Sequence, residues 1–280
     1  MFKILRKQDL NKNVILMEIE APLVAKKAQA GQFVILRASD DGERIPLTIA
    51  GFDRTAGWVR IIFQVVGATT LNLSEKQEGD TIPDFVGPLG NATETENIKS
   101  ACVVGGGVGT AIALPVAEKL FNDGAEVTSI CGFRNSEIVI LKDEFENCSN
   151  DFHLMTDDGS AGKHGNVCVP LEELLSGGKK FDMIFAIGPL VMMKYVVQTA
   201  KKYDIPCTVS MNPIMIDGTG MCGGCRLSIN GKTKFACIDG PDFNGYEVDF
   251  DEMINRNKMY QEEEKHAYHE TCNLLNKEAK

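Results

Sequence analysis

Short apolar runs fill residues 1–90, and within them apolar and polar residues alternate with the period of two that β-strands show. Four runs are long enough to predict strands: residues 14–20, 32–38, 44–50 and 58–66. Glycine and aspartate turn residues separate the runs at close intervals, as at Gly31, Gly57 and Gly79. This spacing predicts a small antiparallel β-barrel.

The pattern changes at Lys99, where buried-strand runs begin to alternate with helical stretches. The predicted strands are residues 101–104, 125–130, 151–156, 181–188 and 207–211. Such alternation predicts a parallel sheet with helices on both faces. Residues 87–97 are polar and rich in turn formers, and we expect them to link the barrel to this second unit.

Beyond residue 212 the chain predicts two smaller pieces. Asn230-Gly231 indicates a two-residue hairpin turn, and the charged stretch from Asp249 onward favours helix. The expected organisation is a flavin-type barrel at 1–98, a nucleotide-binding α/β unit at 99–212, a cysteine-rich segment at 213–248 and a helical tail at 249–280.

Composition narrows the functional classes. The 280 residues carry a net charge of −10, which argues against a nucleic-acid partner. No apolar stretch is long enough for a membrane span, and residues 1–9 lack the apolar block of a signal peptide. The nine cysteines are an odd number, which argues against a disulfide framework. We therefore expect a cytoplasmic protein.

The cysteine-rich segment carries the strongest chemical signal. Asp217, Cys222, Cys225 and Cys237 are spaced D-x4-C-x2-C-x11-C, and four glycines lie among residues 217–225, the cluster loop. Thiolates at such spacings bind iron–sulfur clusters or zinc, and glycine lets the backbone approach the bound group closely. A redox cluster beside a flavin could exchange electrons with it, which favours [2Fe–2S] over zinc.

The run at residues 44–50 offers a flavin site. Alternation places Arg44, Pro46 and Thr48 on one strand face, where a guanidinium can grip a diphosphate and a hydroxyl can bond a flavin ring. An arginine on a strand is also commonly a solvated surface residue.

A second part of the same site follows the last barrel run. Gly67 ends the strand, and Thr69 and Thr70 start a helix whose free N–H groups could cradle a phosphate. The threonines are equally good as plain helix caps, and both roles share one geometry.

A nicotinamide site is predicted at the start of the second unit. The glycine loop, residues 105–110, follows a strand and opens a helix, as in dinucleotide-binding folds. Its residues are Gly105, Gly106, Gly107, Val108, Gly109 and Thr110. Arg134, Asp157 and Gly188 end other strands and are expected in the same crevice, where Arg134 could meet a 2′-phosphate. NAD and NADP both remain open.

Residues 1–212 resemble the ferredoxin–NADP reductase superfamily. The resemblance rests on the strand with Arg44 and Thr48, the turn from Gly67 to Thr70 and the glycine loop. The resemblance implies FAD, with Arg44 and Thr70 on its diphosphate and Thr48 near its ring. The expected contacts of the cofactor also include Leu47, Gln64 and Val65.

With the cluster loop added, the chain resembles electron-transfer subunits of dihydroorotate dehydrogenase, in which the first cluster ligand is a cysteine. This chain has an aspartate, Asp217, at that position. In this respect it is similar to the small subunits of NADH-dependent reduced ferredoxin:NADP oxidoreductases. That family implies a [2Fe–2S] cluster on Asp217, Cys222, Cys225 and Cys237. It also implies hydride exchange between NAD(H) and FAD, and single-electron transfer to a larger FAD and [4Fe–4S] subunit that serves ferredoxin. No separate catalytic side chain is expected.

Overall fold

The computed structural model describes the backbone of residues 1–278 and the side chains of residues 1–272; the end of the predicted tail lies outside the described residues. Sixteen strands are assigned within that range: β1 (Phe2–Asn11), β2 (Val14–Glu20), β3 (Phe33–Arg37), β4 (Ile45–Asp53), β5 (Trp58–Gln64), β6 (Thr81–Ile82), β7 (Asp84–Leu89), β8 (Ser100–Gly106), β9 (Glu126–Phe133), β10 (Asp151–Thr156), β11 (Lys163–His164), β12 (Met183–Ile187), β13 (Cys207–Ser210), β14 (Arg226–Ile229), β15 (Lys232–Phe235) and β16 (Asp242–Asn244).

The helices alternate with the strands mainly in the second half of the chain. They are α1 (Pro22–Ala25), α2 (Ala68–Glu75), α3 (Thr110–Asn122), α4 (Lys142–Asn147), α5 (Cys168–Ser176), α6 (Leu190–Lys202), α7 (Ala236–Asp239), α8 (Phe250–Arg256) and α9 (Gln261–Glu278). Short 3₁₀ turns occur at Gly107–Gly109, Ser136–Ile138 and Gly245–Glu247.

The first seven strands form the predicted antiparallel barrel, in the order β6-β1-β2-β5-β4-β3-β7. The two end strands, β6 and β7, are separated in the chain by Pro83 alone, which brings the ends of the sheet together. Alternate residues such as Met17, Ile61 and Phe63 fill the interior. Burying a side chain of this size stabilises the fold by roughly 1.5–3 kcal/mol.

The barrel differs from the sequence prediction in several places. Strand β1 was not predicted, because Ile4 is its one fully buried residue and the alternation along it is weak, and the strands β6 and β7 were not predicted either. The predicted link at 87–97 begins too early, since residues 87–89 belong to β7 and Leu89 pairs with Phe33 of β3. A backbone pairing of this kind overrides the turn propensity of Gly87-Pro88.

The second unit is the predicted parallel sheet, in the order β11-β10-β9-β8-β12-β13-β16. Strand β8 is buried on both faces: Cys102 and Val104 pack with residues of α5 and α6, and Ala101 and Val103 pack with residues of α3 and α4. This two-sided burial explains why the strand is a continuous apolar run.

The remaining segments pack on these two units. The β14–β15 hairpin turns at Asn230 (φ 48°) and Gly231 (φ 70°), as predicted. Strand β16 was not predicted, and it pairs antiparallel with β13. Helix α8 packs on α6, and α9 contacts α2 of the barrel. None of the helices in the described part of the chain has the length and apolarity needed to cross a membrane.

Candidate functional site

The glycine loop lies at the carboxyl end of β8, where the chain turns into α3. Ligands of parallel α/β sheets bind at this edge. Gly107 is left-handed (φ 56°), and a Cβ placed on it would meet no protein atom within 4 Å. Gly107 therefore faces open space and can admit a ligand close to the backbone.

The other glycines of the loop serve packing. A Cβ on Gly106 would lie 2.3 Å from Met192 Sδ, and one on Gly109 would lie 2.6 Å from Ile187 O. Val108 is half-buried beside them. Thr110 is fully buried, and its hydroxyl donates to Gly107 O at 2.7 Å. The side chain of Thr110 thus supports the loop, and a ligand contact at this residue is limited to its backbone.

The three other predicted residues lie at the same edge. Arg134 and Asp157 are exposed directly after β9 and β10, and the Asp157 amide donates to Phe133 O at 3.0 Å. Gly188 follows β12, and its hypothetical Cβ would lie 3.2 Å from Gly106 Cα. Because β10, β9, β8 and β12 are neighbours in the sheet, the structure brings these positions to one edge of the sheet.

Asp158, beside them, shapes a turn. Its Oδ1 accepts hydrogen bonds from Ser160 N at 2.9 Å and from Ser160 Oγ at 2.6 Å. These bonds hold the pKa of Asp158 below its usual range. The contacts of Asp158 are thus those of a turn-forming residue.

On the barrel, the predicted flavin residues lie along β4. Pro46, Leu47 and Thr48 pair with Ile35, Val34 and Phe33 of β3, and all three are half-buried. Gln64 and Val65 lie at the end of β5, where Gln64 is exposed.

Helix α2 begins after Gly67, as expected. Its first intrahelical bond runs from Leu71 N to Gly67 O, so the amides of residues 68–70 precede the helical ladder and point outward from its end. A Cβ on Gly67 would meet nothing within 4 Å. The Thr70 hydroxyl accepts from the amides of Val66 and Gly67 at 3.0 Å each. Thr70 is thus a cap, whereas Thr69 is half-buried at the same helix end.

Arg44 immediately precedes β4 and reaches across to the cluster loop. Its Nε donates to the backbone oxygen of Ile216 at 2.7 Å. The guanidinium has five N–H groups, so its two terminal nitrogens can also grip an anion. This link between the flavin strand and the residue before Asp217 was not foreseen from the sequence, because the two residues are 172 positions apart.

The cluster loop is shaped by Asp217 and by left-handed glycines. Oδ1 of Asp217 accepts from Thr219 N at 2.9 Å, and Oδ2 accepts from Cys222 N at 2.8 Å. The Thr219 amide chiefly holds the pKa of this carboxyl below its usual range. Gly218, Gly220 and Gly223 have φ of 75°, 81° and 69°. A carboxylate offers about four lone-pair sites, so each oxygen keeps room for a metal.

The three cysteines differ in exposure. Cys225 and Cys237 are buried, at 1% and 2% exposed, whereas Cys222 is exposed on the loop. Burial, followed by a hydrogen bond with Cys225, raises the pKa of Cys237 to about 12. Smaller effects on this pKa come from the Gly220 amide, which lowers it, and from Asp217, which raises it. Metal binding would displace the thiol protons.

The four predicted ligands are of the donor types that bind iron–sulfur groups or zinc. Among the described residues, no three His, Cys, Asp or Glu side chains converge closely enough to hold one metal ion. Asp217, Cys222 and Cys225 lie on the cluster loop, and Cys237 lies in α7. Three thiols and one carboxylate are donors that fit an iron–sulfur group.

Comparison with known proteins places this geometry in a family. Residues 212–249 match the model of the iron–sulfur cluster binding domain of dihydroorotate dehydrogenase B. The Thermotoga maritima dihydroorotate dehydrogenase B (NAD+) electron transfer subunit homolog is 47% identical over 95% of this chain and 94% of its own length. This chain belongs to the family of dihydroorotate dehydrogenase B electron-transfer subunits and their homologues. The resemblance drawn from the sequence is confirmed.

Two further relatives extend the comparison. The Streptococcus pneumoniae electron transfer subunit of dihydroorotate dehydrogenase B (NAD+) is 32% identical over 86% of this chain and 94% of its own length. A solved structure of the NADH-dependent reduced ferredoxin-NADP oxidoreductase, reported for its insights into flavin-based electron bifurcation, is 42% identical. It covers 96% of this chain and 97% of its own, with a TM-score of 0.90. The family makes this chain an oxidoreductase subunit with a reductase-type barrel and an iron–sulfur segment.

Proposed function

We propose that this chain is the small subunit of an NADH-dependent reduced ferredoxin:NADP oxidoreductase. In this role it exchanges hydride with NAD(H) at a bound FAD and passes electrons through a [2Fe–2S] cluster to a larger flavoprotein. The observation that carries the proposal is the match, over almost the whole length, to a solved oxidoreductase of this kind.

The barrel would hold FAD. Arg44 and the outward amides of α2 would bind its diphosphate, with Thr69 beside them, because guanidinium groups and helix N-termini both favour anions. Thr48 and its neighbours on β4 would line the ring. The flavin supplies hydride and electron chemistry, and the protein supplies orientation and electrostatics.

The glycine loop would hold the nicotinamide nucleotide. Gly107 lets the diphosphate approach the backbone, while Gly106 and Gly188 keep the two strand ends close together. Arg134 and Asp157 would contact the rest of the nucleotide from the next strands. We propose NAD(H) as the ligand, and NADP(H) is the alternative if Arg134 binds a 2′-phosphate.

Asp217, Cys222, Cys225 and Cys237 would ligate the [2Fe–2S] cluster. The buried pair of cysteines excludes water from one side, and the exposed Cys222 leaves the other side near the surface. A cluster close to the surface suits electron exchange with a second protein.

The name of the relatives, electron transfer subunit, implies a partner chain. We propose a larger subunit with its own FAD and [4Fe–4S] clusters, which reacts with NADP and ferredoxin. A heterodimer working in the reducing cytoplasm also suits a chain with nine cysteines and free thiols.

The second candidate is electron transfer to a dihydroorotate dehydrogenase, which the names of the relatives favour. Asp217 favours the first candidate, since the dihydroorotate dehydrogenase subunits have a cysteine as first ligand by the resemblance described above. Both candidates share the flavin, nicotinamide and cluster sites and differ in the partner.

Native mass spectrometry of the protein purified anaerobically from its own host tests the proposal. We expect a complex with a larger chain that contains two FAD and additional iron and sulfide. A lone chain with one FAD and two iron atoms would contradict the heterodimer. Copurification with a dihydroorotate-oxidising chain, and NADH-dependent turnover of orotate, would establish the second candidate.

A further inference from the structure

The barrel contacts the backbone on both sides of the predicted cluster ligands. Arg44 Nε donates to the oxygen of Ile216, which precedes Asp217, at 2.7 Å. Asn91 Nδ2 donates to the oxygen of Ile238, which follows Cys237, at 3.1 Å. The first and last ligands of the set are thus each adjacent to a carbonyl that a barrel-side residue holds.

The side chains of the two isoleucines do not provide this anchoring. Ile216 is 49% exposed and Ile238 is 47% exposed, so neither is seated in a core. The hydrogen bonds from the side chains of Arg44 and Asn91 therefore help to fix these positions. The bond from Arg44 is charge-assisted, which makes it the stronger of the two.

Close packing adds to the same contact. A Cβ on Gly218 would lie 2.6 Å from Leu89 Cδ1 and 2.9 Å from Ile35 Cδ1, so the loop rests directly on β7 and β3. The backbone N–H of Asn91 also donates to Gly240 O, at 2.7 Å. Small displacements of this backbone would change the position of Asp217 relative to Cys237.

From these contacts we propose that Arg44 and Asn91 are positioning residues, through which the flavin barrel fixes the geometry of the iron–sulfur cluster. This inference rests on the proposed function, since it requires a cluster at the loop. Arg44 then serves two sites, with Nε on the cluster loop and its terminal nitrogens toward the flavin diphosphate. Groups that orient metal ligands typically contribute ~10–100-fold to metal affinity.

Two substitutions at Arg44 separate these roles. Glutamine and methionine both remove the charge, but glutamine places an N–H donor at the same distance along the side chain as arginine Nε, whereas methionine places a methyl group there. Any difference between Arg44→Gln and Arg44→Met therefore reports the hydrogen bond to Ile216. Asn91→Leu removes the second bond at an exposed site.

A matched control is available on the same barrel. Arg54 also donates to a backbone oxygen, that of Ala28 at 2.9 Å, far from the cluster loop in sequence. Arg54→Met removes the same charge and the same kind of bond without touching residues 213–248.

The experiment uses the anaerobically purified protein, supplied with excess FAD. The electron paramagnetic resonance spectrum and midpoint potential of the reduced cluster are measured, together with the rate of iron loss to a chelator. We expect Arg44→Met and Asn91→Leu to shift the spectrum and to lose iron about 10-fold faster than Arg54→Met. Arg44→Gln should lie nearer to the unaltered protein.

The outcomes separate the two proposals. If the unaltered protein contains no iron and sulfide, the proposed function and this inference fail together. If it contains the cluster but Arg44→Met and Asn91→Leu match Arg54→Met, the inference alone is wrong. Equal changes in Arg44→Gln and Arg44→Met would assign the effect to charge and overturn the role of the Ile216 bond.

Discussion

The glycine loop and the cluster loop have similar compositions but use glycine for different physical reasons. In the glycine loop, Gly106 and Gly109 are required because neighbouring atoms leave no room for a side chain, and Gly107 alone is left-handed. In the cluster loop, three glycines are left-handed and curl the backbone around a small volume. The first loop is built by close packing and presents one open glycine. In the second loop the left-handed glycines are also closely packed, since a Cβ on Gly218 or Gly220 would lie within 3 Å of Leu89 or Ile238.

Loss of a buried residue among the proposed cluster ligands should have the largest effect. Cys225→Ser replaces a buried thiol, and we expect complete loss of the iron–sulfur absorption with FAD retained, because the flavin residues lie on the barrel. Iron, sulfide and flavin analysis measures this. Cys168→Ser, at a half-buried cysteine of α5, is the control and should keep the cluster.

The open residue of the glycine loop should matter for binding more than for folding. Gly107→Ala strains a left-handed residue at a cost of roughly 1–2 kcal/mol, and its methyl group would occupy the space where we expect the nucleotide diphosphate. We predict about 10-fold weaker NADH binding, or about 1.4 kcal/mol. Isothermal titration calorimetry and thermal unfolding measure the two effects.

Gly124 provides the matched control for that prediction. It is also left-handed, at φ 88°, and also open, but it follows α3 at the other end of the helix. Gly124→Ala should lower stability by a similar amount and leave NADH binding unchanged. Equal weakening in both variants would show that Gly107 acts through stability alone.

The aspartate of the cluster loop should tune potential without deciding whether a cluster forms. Asp217→Cys replaces a hard carboxylate by a thiolate, which donates more electron density to ferric iron. We predict a retained cluster with a lower midpoint potential, measured by redox titration. An unchanged potential would mean that Asp217 shapes the loop through Thr219 and Cys222 and does not ligate iron.

The amino end of the nucleotide sheet should give the smallest effect. Asp182 accepts hydrogen bonds from the amides of Lys99 and Ser100, and these bonds, that of Lys99 first, lower its pKa. Its ionised form therefore stabilises the fold above the unfolded-state pKa of about 3.9, and this contribution disappears as pH falls below that value.

Asp182→Asn tests that reasoning. The variant should be slightly less stable than the unaltered protein at neutral pH, and the difference should shrink as the pH is lowered below about 4. Chemical denaturation at a series of pH values measures this. A difference that is constant with pH would contradict the charge-based explanation, and both ligand sites should be unaffected throughout.

Local patterns predicted most of the fold because they report burial. Strand β8 is buried on both faces, and nearly every residue of β2 is buried. The ends of both strands were predicted to within two residues. Strand β1 has Ile4 as its one fully buried residue, so its sequence carries little signal. Strand β16 has three residues and forms only because β13 presents an edge, which no local pattern contains.

The sites divide in the same way. The proposed ligand motif and the glycine loop are compact in sequence, so their spacing alone is enough to predict them. The roles of Thr70 and Thr110 as supports of their own loops needed the structure, because their hydroxyl partners are set by backbone conformation. The Arg44–Ile216 bond joins distant segments and depends on how the barrel and the cluster loop pack.

The pairing of β16 with β13 gives the cysteine-rich segment a second, structural role. Thr208, Val209 and Ser210 would otherwise end the parallel sheet with a row of unpaired backbone groups, and Asn244, Phe243 and Asp242 cover that row. Uncovered strand edges promote association between copies of a chain. A shortened version that stops before residue 213 would therefore lose its protection against aggregation as well as its cluster, and the electron-relay segment cannot be treated as a detachable accessory.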